Sequence, residues 1–170
     1  AIPPAKAEHF AAITTPKEVA ELLRGIDGLR GTFVVKCALL LAPLLFVRPG
    51  ELRRAEWSDF DLEKAEWRYL VTKTKTEHLV PLASRAVAIL SELNSLTGNR
   101  RYVFPGRDPH KAMSEAAINA ALRRMGYPKE DVTAHGFRGT ASTLLNESGK
   151  FSPDAIERSL VWTGLEDRAN

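Results

Sequence analysis

A chain of 170 residues, 44% hydrophobic and 26% charged, carries enough apolar material for one full core and is ordinary for a globular protein. No apolar run reaches the roughly 20 residues needed to cross a bilayer, because the longest, Phe33 to Val47, is broken by Lys36 and Pro43. Cys37 is the single cysteine, so an internal disulfide is excluded, no Cys/His cluster has zinc spacing, and a reducing cytoplasm fits. Lys and Arg exceed Asp and Glu by 24 to 21, a net charge of +3. The excess is gathered at Arg48/Arg53/Arg54, Arg68/Lys73/Lys75, Arg100/Arg101/Arg107/Lys111 and Arg123/Arg124/Lys129. Clusters of that kind suggest a composite face for a polyanion.

In chain order, residues 1–15 are Pro/Ala-rich and aperiodic and read as a linker. The opening Ala-Ile-Pro-Pro, without methionine, reads as part of a longer chain. Thr15, Pro16 and Glu18 form a capping pattern for a helix over 16–25. An almost wholly apolar helix over 32–45 belongs at the centre of the fold. Pro49 then opens a short helix reaching Ala55, and Ser58–Asp61 is turn-like. Glu66 to Thr72 alternates and predicts a strand, Thr74–Glu77 a polar turn, and His78–Leu82 the return strand, with Pro81 marking its end or an edge. Helices are expected over 84–96 (capped by Ser84), 114–125, 135–148 and from Pro153 to Trp162, and Tyr102–Phe104 as a third strand. The fold class is mainly α with a small antiparallel β-sheet.

Three segments carry polar residues where the pattern favours core. Arg48 follows the most apolar helix, Lys73 sits at the hairpin tip, and His135 and Arg138 share one face of a helix start. Each alone has an ordinary explanation: a helix-end cation, a turn lysine, a polar first turn.

In this order and spacing the three segments resemble the catalytic domain of the tyrosine recombinases, in particular the prophage integrase branch. Arg48-Pro49-Gly50-Glu51-Leu52 resembles that family's first arginine box, Lys73 its hairpin lysine, and His135-Gly136-Phe137-Arg138 its His-x-x-Arg box. Asp154–Arg158 resembles the helix leading to the next box, where Trp162 falls at a position usually held by histidine. The resemblance assigns residues 16–170 to the catalytic domain.

What the resemblance implies is transesterification at a DNA phosphodiester through a 3′-phosphotyrosyl link, with no metal and no cofactor. Arg48 and Arg138 would fork onto the phosphate, Lys73 would protonate the leaving 5′ oxygen, and His135 would bond the phosphate or take the tyrosine proton. Trp162 would donate its indole N–H, and Glu51 would orient the arginine or histidine from behind. Arg53, Lys75, Arg123 and Arg124 would hold the backbone of double-stranded DNA at an attachment site. The family nucleophile is expected at 171 or 172. Tyr69, Tyr102 and Tyr127 all precede the His-x-x-Arg box, so the nucleophilic tyrosine is absent from these 170 residues. The intact protein would act as a homotetramer on DNA in a bacterial cytoplasm, away from membranes, and this piece alone as a monomer. Three other readings compete: an inactive integrase remnant that only binds DNA, a helical protein–protein adaptor, and a metal-dependent nuclease. The last would need clustered carboxylates, and among the named boxes only Glu51 is acidic.

Overall fold

The computed structural model describes residues 11–71 and 74–155. The helix α1 (Pro16–Asp27) begins as its capping pattern dictates: the Thr15 hydroxyl accepts from the Glu18 N–H, and Pro16 fills the first turn. It runs past the expected Gly25 because Ile26 extends the buried stripe begun by Leu22. The Thr32 hydroxyl, accepting from the Val35 N–H at 3.3 Å, starts α2 (Phe33–Leu45). Its residues Cys37, Ala38, Leu39, Leu41, Ala42 and Leu45 are buried, and the five other α-helices among the described residues pack against it. Burial raises the Cys37 thiol to about 11, with Glu92 adding to the effect, which leaves a protonated core residue rather than a nucleophile.

Beyond α2 come α3 (Pro49–Arg53) and a 3₁₀ turn at Trp57–Asp59. The sheet follows, in the order β1 (Phe60–Asp61), β2 (Glu66–Leu70) and β3 (Glu77–Pro81), antiparallel throughout. The inward residues of β2, Trp67 and Tyr69, face Val80 and His78 across the register, and Pro81 closes an edge strand. Phe60 stacks on Trp67 at 5.0 Å and 10°, which draws β1 into the sheet. The third strand is therefore Phe60–Asp61, read from sequence as part of a turn. Tyr102–Phe104 does not form it: Tyr102 makes an isolated bridge with Glu56, and Val103 and Phe104 are wholly buried anchors.

The helix α4 (Ser84–Thr97) has Ala83 at its cap, so Ser84 is its first residue and not the capping one. The next, α5 (Ala117–Arg124), starts three residues later than the expected 114, because the Met113 N–H is committed to the Phe104 carbonyl at 2.8 Å. The sixth, α6 (Gly136–Ser148), ends at Gly149 in the left-handed region, φ 64°. Pro153–Ala155 begins a helical turn; the rest of the expected last helix lies outside the described residues.

Candidate phosphate site

Arg48 is presented by the corner between α2 and α3. Phe46 closes α2 in the left-handed region at φ 56°, an uncommon place for a non-glycine residue. Val47 is buried, and the Arg48 carbonyl accepts from both Glu51 and Leu52 at 3.0 Å, so the arginine caps α3 with its backbone. That leaves the half-buried guanidinium to other partners. Glu51, one turn along, is half-buried too. It lines a cavity of about 490 Å³ with Arg54, Trp67, Tyr69, Arg101 and Tyr102 among others.

The start of α6 is held from several sides. The Thr133 hydroxyl accepts from the Gly136 N–H at 3.1 Å, and the Asn119 side-chain carbonyl accepts from the Ala134 N–H at 2.9 Å. The Ala11 carbonyl accepts from the Thr133 N–H at 3.1 Å and lies hard against Gly136, where any Cβ would collide with it. This explains the glycine inside the His-x-x-Arg segment. It also brings Ala11 and the buried Ile13, both within the expected linker, onto the folded body. Phe137 faces the core, which aims Arg138, one residue on, along a different side of the helix.

The fold brings the two arginine segments together. Burial and then the Arg48 charge hold the Arg138 guanidinium below the ordinary arginine range, with Tyr69 acting the other way. Burial, then Arg138 and Arg48, likewise lower His135, opposed by Glu115. His135 is exposed, so its imidazole stands at the mouth of the group. Arg48, Arg138 and His135 thus share one partly desolvated neighbourhood, in which like charge and burial both act against the protonated forms. Among the described residues, no group of three or more His, Cys, Asp or Glu could hold a metal ion. No helix there is long and apolar enough to cross a membrane.

Lys73 and Trp162 lie outside the described residues. The four cations expected to grip a nucleic-acid backbone divide. Arg53 is half-buried and donates to the Met113 carbonyl at 3.1 Å. Arg123, also half-buried, donates to the Val132 and Asn119 carbonyls. These two guanidiniums hold segments of the fold together. Lys75 and Arg124 are exposed, Lys75 at the hairpin in a left-handed conformation with φ 56°.

Two residues that the sequence gives no place in the site, Tyr69 and His78, are neighbours of the arginines. Tyr69 is 8% exposed, and its hydroxyl has no hydrogen-bond partner among the described residues. Burial, then Glu51, push that hydroxyl up, while Arg138 and Arg48 pull it down. A buried, protonated phenol of this kind is no nucleophile for a macromolecular substrate. His78 meets Tyr69 edge-on, with ring centroids 5.4 Å apart at 81°, and burial followed by Arg138 lowers its pKa. The available signal was the strand alternation, which already put both residues on the inward face.

A family model described as the phage integrase family matches residues 13–167, nearly the whole chain. The chain belongs to the phage integrase family. It is 40% identical over 171 residues to the integrase of Enterobacteria phage P4, an alignment covering 91% of this chain and 39% of that protein. It is 42% identical over 133 residues to the prophage integrase IntZ of Escherichia coli K12, covering 77% and 33% respectively. The chain thus spans about two fifths of the length of the first curated relatives it matches. The fold is shared with the XerA recombinase at a TM-score of 0.74 and 20% identity, over 90% of this chain and 57% of that one. XerH, solved bound to its difH substrate before cleavage, gives 0.72 at 17% identity, over 96% and 51%. The α-rich body with its three-stranded antiparallel sheet is therefore the tyrosine-recombinase catalytic-domain fold.

Proposed function

We propose that this integrase chain is the catalytic domain of a site-specific recombinase that integrates or excises a mobile element by cutting and rejoining double-stranded DNA. The observation that carries the reading is the meeting of Arg48 and Arg138, 90 positions apart in sequence, in one partly buried neighbourhood with His135. Each guanidinium offers a planar fork of N–H donors to the non-bridging oxygens of a phosphodiester, and both keep their charge at every physiological pH. Preorganised donors of this type typically contribute about 3–4 kcal/mol each to a transition state.

The chemistry we assign is an exchange of one P–O bond for another. A tyrosine oxygen bonds to phosphorus, the 5′ oxygen leaves, and the proton lost by the phenol is balanced by one delivered to the leaving group. His135, exposed at the mouth and held neutral, is suited to accept the first proton. Lys73 is assigned the second, Trp162 an N–H to the phosphate, and Glu51 the orientation of the basic groups. The exposed Lys75 and Arg124 are assigned to the DNA backbone. No metal or nucleotide takes part, because the bond energy is kept in the phosphotyrosyl link. The working assembly is a tetramer on two DNA sites in the bacterial cytoplasm.

The test separates this reading from a protein that only binds DNA. The 170-residue chain is mixed with a pool of nicked duplexes of random sequence, and hydrogen peroxide supplies the attacking oxygen. Strand cleavage that disappears in Arg48→Ala and Arg138→Ala supports the recombinase reading. Binding without cleavage at any peroxide concentration would support the DNA-binding remnant instead.

A further inference from the structure

Among side chains the reaction above does not use, His78 has the most specific surroundings. It lies on the inward face of β3, directly across the register from Tyr69. Trp57, Phe60, Trp67, Tyr69 and His78 form a continuous aromatic row, with centroid spacings of 5.9, 5.0, 4.5 and 5.4 Å. Its first four members form a packed wall under the sheet, and its last is a half-buried imidazole that feels the Arg138 charge.

We propose that His78 is a positioning residue of the phosphate site: its imidazole, seated edge-on against the buried Tyr69 ring, walls the Arg138 side chain and fixes the guanidinium for the phosphate. The inference rests on the phosphate-site reading above. A phenylalanine would extend the aromatic row equally well, so packing alone does not account for a histidine here. Neutral imidazole differs in one respect, a ring nitrogen lone pair that accepts a hydrogen bond, and an arginine has only donors. The charged and titratable groups that act on His78 are Arg138 from α6 and, in ring contact, Tyr69 from β2. Burial and the Arg138 charge both favour the neutral ring at neutral pH. The lone pair is therefore present when the site is in use. In turn, the Tyr69 edge contact sets the angle at which the ring faces α6.

The experiment uses the 170-residue chain and inorganic sulfate, whose charge does not change across the pH range of histidine. Arginine side-chain N–H signals are followed by NMR, those of Arg48 and Arg138 being identified by their loss in Lys variants. In the wild type, sulfate moves both signals, and the Arg138 signal tracks the titration of His78. His78→Phe keeps the unfolding temperature, abolishes that pH step and weakens sulfate about fivefold, the size of one ordinary net hydrogen bond. His78→Asn, which restores an acceptor, recovers part of the affinity. A folded His78→Phe chain with wild-type sulfate affinity would overturn the proposal, as would an Arg138 signal indifferent to His78. Should sulfate move neither arginine in the wild type, the phosphate site itself fails and the proposal with it.

Discussion

Replacing Arg138 by methionine should make the unliganded chain more stable while weakening its binding of phosphate. The guanidinium is partly desolvated and sits in the field of a second cation, Arg48, and these two effects outweigh the opposing Tyr69. Because a guanidinium stays charged across the working pH range, the charged form is carried at a constant cost there. Methionine keeps an unbranched stem of similar length and removes the charge. The like-charge and desolvation costs, discounted for the exposed fraction, amount to about 1 kcal/mol. For a chain of this size that raises the unfolding temperature by roughly 2–4 °C. The same change removes a charged donor fork worth about 1.5–3 kcal/mol to a phosphate, a loss of roughly 10- to 150-fold in affinity. Thermal unfolding with and without sulfate, together with fluorescence anisotropy on a labelled duplex, reads both effects. A methionine variant that melts below the wild type would refute the reasoning, since Arg138 would then be a structural cation like Arg53.

Stability should fall in acid: His78 and His135 have folded pKa values below their ordinary 6.5, so the unfolded chain binds protons more readily. The loss begins as pH drops through about 6.5, continues until the folded values are passed, and adds nothing above neutrality, which urea midpoints between pH 4 and 8 will follow. Gly136→Ala puts a Cβ into the Ala11 carbonyl and the Ala12 backbone. A cost of about 1–3 kcal/mol in denaturant unfolding is expected, as for overpacking elsewhere. Arg53→Met should lower the unfolding temperature and leave the salt dependence of DNA binding unchanged, because its guanidinium serves the Met113 carbonyl. Arg124→Met should do the reverse, reducing the logarithmic salt slope by about 0.9 at unchanged stability.

Much of the fold is legible because its signals are local. Thr15-Pro16 caps α1 by a bond within three residues, and the β2 and β3 alternation sets the inward face without reference to the rest of the chain. The errors arise where a distant partner decides. Phe60 becomes a strand residue because Trp67 stacks on it, and α5 starts late because Phe104 holds Met113. The same division holds at the site. Arg48, His135 and Arg138 are conspicuous as polar residues beside apolar helices and lie together in the fold. By contrast, nothing in the sequence separates Arg53 and Arg123, which bind backbone carbonyls, from the exposed Arg124. Composition gives each of them the same charge, and only packing determines where it is used.

The chain enters the described fold by lying across the first turn of α6, with the Ala11 carbonyl bonded to Thr133 and wedged against Gly136. This contact couples the entry point mechanically to His135 and Arg138. With no side chain on Gly136 to act as a cushion, a pull on the backbone at residue 11 must either break the bond to Thr133 or drag the helix start with it. The residues proposed to meet a phosphate therefore share one backbone support with residue 11.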